Sequence, residues 1–381
     1  MLSFQTDHTC GKARCGRLST PHGAVETPVF MPVGTAATVK GVTAEQLRAA
    51  GARMVLANTY HLLLRPGPET VRELGGVHAM MAWDGPILTD SGGYQVFSLA
   101  HRCRIDDQAV RFASHIDGSP VELSPERAVE IQQALGSDVM MQLDECAPGK
   151  AERDQVATAM RRSLAWAGRC RTAWQAGDTQ RQALFGIQQG GVHADLRAES
   201  AAGLVELDLP GYAVGGLSVG EGHDVMVGVL EPIDSQLPRA KPRYLMGVGE
   251  PRDILAAVAA GIDMFDCVLP TRNGRNAQAF TWGGRVRLRN ARWTPSREPI
   301  EPGCSCYTCR HYSAGTLRHL FMADEMLAPT LVTIHNLHFF ARFTAAIREA
   351  IASGDLPSRS RQWLAAMAPA DADGQDPLEG E

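Results

Sequence analysis

From about residue 50 to 270, short apolar runs alternate with amphipathic stretches, and this rhythm limits the possible folds more than any other sequence feature. The runs predict strands at 53–57, 86–89, 138–143, 183–187, 211–214, 243–245 and 263–268. Helices are predicted at 124–135, 151–174, 194–205 and 252–260. Such alternation indicates a parallel sheet, and about eight units favour a closed (β/α)₈ barrel. A doubly wound open sheet is the alternative, because periodicity alone does not separate the two.

Two segments break this rhythm. Residues 110–116 and 119–123 flank Asp117-Gly118, which predicts an inserted β-hairpin. After residue 275, a strand-like stretch at 279–289 with a Gly283-Gly284 turn precedes a cysteine cluster, and helical patterns return at 314–353. We therefore expect a barrel at 1–275, an appended subdomain with closing helices at 276–353, and an acidic extension at 354–381 that is disordered after Pro369.

Composition places the chain among ordinary globular proteins. It has 381 residues, of which 44% are hydrophobic and 21% charged. No apolar run reaches the roughly 18 residues that span a bilayer, and residues 1–17 do not resemble a signal peptide. Nine scattered cysteines are not a disulfide framework. We therefore expect a cytoplasmic protein with no membrane partner.

The charge is unevenly distributed along the chain. The net charge is −5, and the last eleven residues alone carry five acids and no base. Between Arg272 and Arg318 there are nine arginines against Glu298 and Glu301, a local balance of +7. A solvated charged face is the plain explanation. However, none of these bases is Lys, and Arg suits bidentate phosphate contacts, so the segment favours nucleic-acid binding.

Polar groups and glycine pairs follow the predicted strands at the end where a barrel builds its active site. A single Asp after a strand is usually a cap or turn former. Several carboxylates, amides and glycine pairs at successive strand ends instead predict one pocket. The groups are Asp90-Ser91-Gly92-Gly93-Tyr94-Gln95, Asp144-Glu145-Cys146, Gln188-Gln189-Gly190-Gly191, Gly215-Gly216-Leu217, Met246-Gly247 and Asp266.

These residue types suit chemistry on a glycosidic bond. Two carboxylates can act there as nucleophile and general acid/base in a double displacement. A third carboxylate and a Gln can bind the polar edge of a purine, while an aromatic ring and a Met can sandwich it. Glycine pairs let backbone N–H groups approach a ligand closely. Barrels that act on sugars and amino acids use the same parts.

Cys304, Cys306 and Cys309 place three soft ligands within six residues, which predicts a zinc site. A closed structural site needs a fourth ligand, and three Cys with one His would leave no open position for catalysis. Three thiols without metal are the alternative. A second site at His8, Cys10 and Cys15 is disfavoured. The candidates for the fourth ligand are His311, His319, His335 and His338. Of these, His311 is too close in sequence to fold back easily, whereas His335 would clip its helix to the loop.

Seven motifs resemble those of the bacterial tRNA-guanine transglycosylases, and the likeness extends from about Phe4 to Ser353. A Cys-x-Cys-x-x-Cys with a His 26 residues after its last Cys also fits. Together the motifs are highly specific to that family. They are DSGGYQVF (90–97), SHIDGS (114–119), LDEC (143–146), FGIQQG (185–190), YAVGGLSVGE (212–221), YLMGVG (244–249) and FDCVLPTR (265–272).

The resemblance implies a (β/α)₈ barrel with an appended zinc subdomain, usually in a homodimer. Family members replace guanine at the anticodon wobble position, G34 of tRNAs with GUN anticodons, and bacterial members insert the queuosine precursor preQ1. Such a base must leave its stack, which an anticodon loop permits at low cost. The expected partners are therefore the tRNA anticodon loop, guanine and preQ1, and the expected cofactor is one structural Zn²⁺ per chain.

The resemblance also implies a role for individual residues. Asp266 would be the nucleophile at ribose C1′, and Asp90 the general acid/base. The remaining roles are Asp144, Gln189 and the Gly216 N–H at the purine edge, the Leu217 carbonyl near the preQ1 aminomethyl group, Tyr94 and Met246 on the ring faces, Arg272 and Arg275 at the anticodon loop, and Cys304, Cys306, Cys309 and His335 on zinc.

Three further positions bear on specificity and loop geometry. Cys146 and Val219 are the residues of bacterial members, where eukaryotic enzymes that insert queuine have Val and Gly. The bulk of Val219 would leave no room for queuine's cyclopentenediol. Ala277 departs from the family's usual Gly, and if that position takes a positive φ, Ala costs on the order of 1 kcal/mol there.

Three other functions compete with this one. A catalytically inert tRNA-binding homologue would lack the carboxylates, whereas both Asp90 and Asp266 are present. An unrelated barrel hydrolase of small glycosides would show little salt dependence of substrate binding, unlike a tRNA enzyme. An archaeosine-type enzyme would carry additional C-terminal RNA-binding domains, for which this chain has no room.

Overall fold

The computed structural model describes residues 2–99 and 103–368 of the chain. Its strands are β1 Ser3–Cys10, β2 Ala13–Thr20, β3 Gly23–Thr27, β4 Val29–Pro32, β5 Val55–Ala57, β6 Ile87–Thr89, β7 Arg104–Ile105, β8 Val110–Ala113, β9 Pro120–Leu123, β10 Val139–Met141, β11 Ala183–Gln188, β12 Gly211–Val214, β13 Arg243–Leu245, β14 Met264–Cys267, β15 Gln278–Thr281 and β16 Gly284–Arg287.

Helices separate most of the strands. They are α1 Ala44–Ala50, α2 Thr59–Leu64, α3 Pro68–Glu73, α4 Gly76–Met81, α5 Gly93–Leu99, α6 Pro125–Leu135, α7 Arg153–Gln175, α8 Ala194–Glu206, α9 His223–Leu230, α10 Ile233–Gln236, α11 Pro251–Ala259, α12 Leu269–Arg275, α13 Tyr307–His311, α14 Ala314–Met322, α15 Leu327–Ala352 and α16 Leu356–Met367.

Eight parallel strands form the barrel, in the order β4-β14-β13-β12-β11-β10-β6-β5. The ring closes between its first and last strands, where Val33 bridges Leu56 and the Gly34 N–H donates to the Leu56 carbonyl at 2.6 Å. The predicted (β/α)₈ fold is therefore confirmed, and the doubly wound alternative is wrong. All seven predicted strands are present. The eighth, β4, was not predicted because it lies before the alternating region and is only four residues long.

Local sequence signals account for several elements. The Ser124 side chain accepts from the Arg127 N–H, Pro125 occupies the first turn of α6, and Gly136 ends the helix in the left-handed conformation. The predicted hairpin is also confirmed. Strands β8 and β9 pair antiparallel, and β7 adds a third strand to this inserted sheet.

The barrel interior is a packed core rather than a channel. Met31, Leu56, Met141, Phe185 and Ile187 are among the buried side chains that fill it, each at most 2% exposed. A second apolar layer lies between the strands and the surrounding helices. The strand residues are therefore buried on both sides, as parallel barrels require.

Two buried carboxylates connect the N-terminal sheet β1–β3 to the lower end of the barrel, the end at which the parallel strands begin. Asp263, just before β14, accepts from Arg14 Nε at 2.9 Å and Nη2 at 2.6 Å. Asp138, just before β10, accepts from the Ile87 N–H at 2.9 Å and lies 2.8 Å from His22 Nδ1. The His78 ring stacks on His22 and lies 3.2 Å from the same carboxylate.

The C-terminal helices return to the barrel. Phe340 of α15 stacks on Phe30 of β4, with ring centroids 4.5 Å apart. Helix α16 was not predicted; its Trp363 packs on Trp282. The predicted disorder after Pro369 lies outside the described residues. Within the described ranges, no helix has the length and apolarity needed to cross a membrane.

Candidate active site

A cavity of about 370 Å³ lies where the barrel strands end. Most of the predicted strand-end groups line it, but Glu145, Gln188, Gly190 and Gly191 do not. The ten residues to which the resemblance gives a role in the pocket all line it, namely Asp90, Tyr94, Asp144, Cys146, Gln189, Gly216, Leu217, Val219, Met246 and Asp266. Six of the eight barrel strands, β6 and β10–β14, thus bring together side chains that are up to 176 positions apart, from Asp90 to Asp266.

Asp90, which follows β6, is held by uncharged donors. Its Oδ2 accepts from Asn58 Nδ2 at 2.5 Å and Gln95 Nε2 at 2.9 Å, and its Oδ1 accepts from the Thr59 N–H at 2.8 Å. Burial raises the pKa of Asp90 to about 6, and the negative charge of Asp266 adds to the rise. A carboxyl group with such a pKa can both give and take a proton near neutral pH.

Asp266, in β14, is bound on one side only. Its Oδ1 accepts from the Tyr244 hydroxyl at 2.5 Å and the Gly247 N–H at 2.8 Å. Among the residues that the structure describes, no donor is seen on Oδ2. Burial raises the pKa of Asp266, while the bonds from Tyr244 and Gly247 lower it. One oxygen is thus anchored and the other is left for bonding to a ligand in the cavity.

Asp144 and Gln189 form a polar pair on another part of the wall. Gln189 Nε2 donates to Asp144 Oδ2 at 2.7 Å, and Ser91 Oγ donates to Oδ1 at 3.3 Å. Burial raises the pKa of Asp144 to about 6, although these bonds oppose the rise. Beside the pair, Gly216 has a φ of +65°, and a Cβ built there would lie 2.5 Å from Gln189 Oε1. Only glycine fits that position without displacing the amide.

The segment 215–221 continues this wall next to Cys146. The backbone N–H groups of Ser218 and Val219 donate to the Glu221 carboxylate, the latter at 2.9 Å. Burial raises the pKa of the Cys146 thiol to about 12, so it lines the cavity as a neutral group. Val219 and Cys146 both line the cavity.

Two larger side chains flank the opening. The Tyr94 side chain is 55% exposed although it lines the cavity, so its ring is accessible to a ligand. Met246 is half-buried on the wall that β13 contributes. An aromatic face and a thioether in these places suit a planar heterocycle.

Sequence reasoning missed the residues that support the carboxylates. Tyr244, Gly247 and Gln95 lie inside motifs that were recognised, but their polar atoms received no role. Asn58 follows β5 directly, and its place at a strand end was the signal that could have found it. Buried Arg197 was also missed; its guanidinium donates to the Gly191 carbonyl at 2.8 Å and steadies the loop after β11.

Cys304, Cys306, Cys309 and His335 form the predicted cluster, away from the cavity. The three sulfurs lie 3.8, 3.7 and 3.3 Å from His335 Nδ1. A tetrahedral zinc ion with ordinary bond lengths would separate S and N ligands by about 3.6 Å. His335 is fully buried, and its Nε2–H donates to the Phe280 carbonyl at 2.8 Å, which orients the ring. The residues therefore fit a closed tetrahedral metal site, and the other candidate histidines do not belong to it.

Arg272 and Arg275 do not line the cavity, but their helix α12 directly follows β14, whose residues Asp266 and Cys267 do. Arg272 is exposed on α12, directly after β14, and Arg275 is half-buried one turn later. Ala277 follows with a φ of +59°. The strain that we expected for an Ala with positive φ therefore applies at this position.

Comparison with known proteins agrees with this geometry. The family model described as Queuine tRNA-ribosyltransferase matches residues 8–369. The queuine tRNA-ribosyltransferase of Pelotomaculum thermopropionicum is 56% identical over 342 residues, 90% of this chain and 92% of its own length. That of Desulforudis audaxviator is 54% identical over 355 residues, covering 93% and 95%.

The similarity extends over nearly the full sequence. The queuine tRNA-ribosyltransferase of Cereibacter sphaeroides is 52% identical over 378 residues, which is 99% of both chains. The motifs, the barrel and the family match therefore support one conclusion: the chain belongs to the queuine tRNA-ribosyltransferase family, the enzyme family of the tRNA-guanine transglycosylases.

Proposed function

We propose that the chain exchanges guanine at G34, in tRNAs with GUN anticodons, for preQ1 by double displacement. The observation that carries this proposal is a pair of buried carboxylates in one cavity with different surroundings. Asp266 has one anchored and one available oxygen, which suits a nucleophile. Asp90 has a pKa of about 6, which suits a group that donates a proton and later accepts one.

The first half-reaction forms a covalent tRNA–enzyme intermediate. Asp266 Oδ2 attacks C1′ of nucleotide 34, and the bond from C1′ to the base nitrogen breaks. Protonated Asp90 gives its proton to the departing guanine. In the second half, Asp90 takes a proton from preQ1, the base nitrogen attacks C1′, and the bond to Asp266 breaks. Atoms and charge balance, because the proton that Asp90 lost is regained.

The base is recognised by the polar wall. The Asp144 carboxylate accepts from the purine N–H groups, and Gln189 and the Gly216 N–H contact the rest of that edge. Tyr94 and Met246 sandwich the ring. The Leu217 carbonyl accepts from the preQ1 aminomethyl group, next to Cys146. Val219 closes this end against a larger substituent; a Val219→Gly variant that still refuses queuine would count against its role.

The tRNA and metal roles follow the placement of the remaining residues. Arg272 and Arg275 contact the anticodon loop beside the cavity mouth, where their charge is complementary to phosphate. The Cys304, Cys306, Cys309 and His335 cluster holds one structural Zn²⁺, which clips α15 to the loop before α13. The homodimer, the cytoplasmic location and the division of the chain near residues 275 and 353 stay predictions.

Base exchange is the direct test. Radiolabelled guanine is mixed with unmodified tRNA-Tyr and the wild type, the Asp266→Asn variant or the Asp208→Asn variant, whose carboxylate is exposed on the outside of the barrel. We expect incorporation by the wild type and Asp208→Asn, and none by Asp266→Asn. No incorporation by a folded, zinc-loaded wild type would contradict the proposal and favour a tRNA-binding protein without activity.

A further inference from the structure

Helix α16, the last described helix, ends against the hairpin of β15 and β16, which carries Arg285 and Arg287. Trp363 of α16 packs on Trp282 and on Phe343, with ring centroids 5.6 and 6.1 Å apart. At the end of the helix, the Met367 carbonyl oxygen would lie only 3.0 Å from a Cβ built on Gly284, the first residue of β16. The chain therefore leaves α16 at the start of β16, and the position of residue 368 is determined by this packing.

The two segments that meet there have opposite charge. Residues 369–381 contain five carboxylates and no base, namely Asp371, Asp373, Asp376, Glu379 and Glu381. Residues 284–297 contain five exposed arginines and no acid, namely Arg285, Arg287, Arg289, Arg292 and Arg297. The family match ends at residue 369, so the acidic segment is not part of the pattern that identifies the family.

Strand β16 presents its charges to one side. Arg285 and Arg287 are two positions apart and exposed, whereas Val286 between them is half-buried, so both guanidinium groups project from the same face. Arg285 also contacts Glu250 and the Phe280 ring, which holds its side chain in place. A guanidinium has five N–H donors, so these contacts leave donors for a further carboxylate.

We propose that residues 369–381 bind along the arginine-rich segment 284–297 and compete there with a polynucleotide. Thirteen residues reach at most about 45 Å when extended, and they start next to β16, so no long connection is needed. The short link gives an effective concentration on the order of millimolar, which populates ion pairs that are individually weak. The acidic segment thereby acts as an internal competitor that a tRNA with many phosphate contacts displaces.

This inference rests on the proposed function, because it assumes that tRNA also contacts the arginines of residues 284–297. The test measures tRNA-Tyr affinity by fluorescence anisotropy at about 50 and about 200 mM salt, the range over which phosphate contacts weaken. Three proteins are compared: the full chain, a chain that ends at Ala368, and a full-length chain with D371N, D373N, D376N, E379Q and E381Q. We expect the second and third to bind about three- to tenfold more tightly at low salt, with little difference at high salt.

Hydrogen exchange separates docking from a diffuse charge effect. Amides of residues 284–293 should exchange more slowly in the full chain than in both altered chains, while the hairpin 110–123 serves as an internal reference. Equal exchange in all three proteins would overturn the inference, whether or not their affinities differ, and would leave the proposed function intact. Tighter binding by the shortened chain alone would mean steric blocking and would overturn it too. If no protein bound tRNA, both proposals would fail.

Discussion

Strands β10 and β14 each carry a buried Asp near either end, and the two ends treat the carboxylate differently. Below the strands, Asp138 contacts two imidazoles and Asp263 pairs with the Arg14 guanidinium. Above them, Asp144 and Asp266 receive hydrogen bonds only from uncharged groups within the described part of the chain. Buried carboxyl groups a few residues apart thus have ionisable or charged partners at one end of the strands and uncharged donors at the other.

The pKa values express this difference. At the lower end, hydrogen bonds from His78, Ile87 and His22 outweigh burial and lower the pKa of Asp138. At the upper end, burial prevails and raises the pKa of Asp144 to about 6. Burial raises the pKa of Asp263 as well, in spite of Arg14, so the contrast is sharpest between Asp138 and Asp144. When both carboxyl groups are ionised, the pKa shift of Asp138 therefore stabilises the fold and that of Asp144 destabilises it.

The largest effect on stability is expected at the lower end. Asp263→Asn leaves the Arg14 guanidinium, which is 4% exposed, without its counter-charge. Breaking one side of a buried ion pair costs about 3–5 kcal/mol in the free energy of unfolding. Urea unfolding at pH 7 measures it. A loss below about 1 kcal/mol would show that Asp263 is not an anchor.

Removing the Tyr244 hydroxyl should affect the reaction instead. A hydrogen bond to a charged group contributes about 1.5–3 kcal/mol, so Tyr244→Phe should lower kcat about ten- to a hundredfold. KM for tRNA should change little. Because this bond lowers the pKa of Asp266, its loss should move the rising limb of the kcat–pH profile to higher pH.

Tyr212→Phe is the matched control for that variant. Tyr212 is equally buried, on the adjacent strand β12, but it does not line the cavity. If both variants lost activity to the same extent, or if the pH profile of Tyr244→Phe did not move, Tyr244 would be a packing residue and not a positioning residue.

Asp144→Asn should stabilise the fold while impairing base recognition. The folded carboxyl has a pKa of about 6 against an ordinary 3.8, so between these values the folded state binds protons that the unfolded state does not. The carboxylate is therefore destabilising above pH 6, and its removal should add about 1–3 kcal/mol at pH 7. The gain should vanish near pH 4, as thermal unfolding at both pH values would show.

Asp138→Asn should change the free energy of unfolding in the opposite direction to Asp144→Asn. The lowered pKa of Asp138 means that its charge stabilises the fold above about pH 4 and that this contribution is lost as pH falls through the folded pKa. The variant should be less stable than the wild type at pH 7. If Asp138→Asn and Asp144→Asn changed stability in the same direction, the proposed contrast between the barrel ends would be wrong.

The smallest effect concerns Ala277. Its φ of +59° is unfavourable for any residue with a Cβ, so Ala277→Gly should raise the free energy of unfolding by at most about 1 kcal/mol. The Ala277 side chain is buried in the subdomain core, so lost packing offsets part of the gain. Chemical denaturation measures the difference, and a loss of more than about 1 kcal/mol would show that packing prevails.

Much of this architecture could be predicted because it depends on local patterns. The alternation of apolar runs located seven barrel strands, and Asp117-Gly118 marked the hairpin. Strand β4 and the sheet β1–β3 could not be found in this way, because all four strands lie before the alternating region, and β4 has only four residues. The helix α16 is amphipathic only over a short segment, and its Trp363 gains meaning only from its distant partner Trp282.

In the site, too, the features that local sequence determines could be predicted, and those that depend on distant neighbours could not. Strand-end carboxylates and the Cys cluster were evident from residue type and spacing. The bonds from Tyr244 and Asn58 depend on which strands are neighbours in the ring, and spacing along the chain does not encode that. Spacing likewise could not choose among four histidines; the resemblance indicated His335, and the structure places its ring within 3.8 Å of all three sulfurs.

The most direct test of the account is to trap the intermediate on Asp266. Enzyme and tRNA-Tyr are mixed without free base, quenched in denaturant, digested, and the nucleotide-bearing peptide is sequenced by mass spectrometry. We expect a covalent adduct on the peptide that contains Asp266, absent from Asp266→Asn and retained by Asp263→Asn protein that is still folded. An adduct on another residue, or exchange that continues in Asp266→Asn, would contradict it.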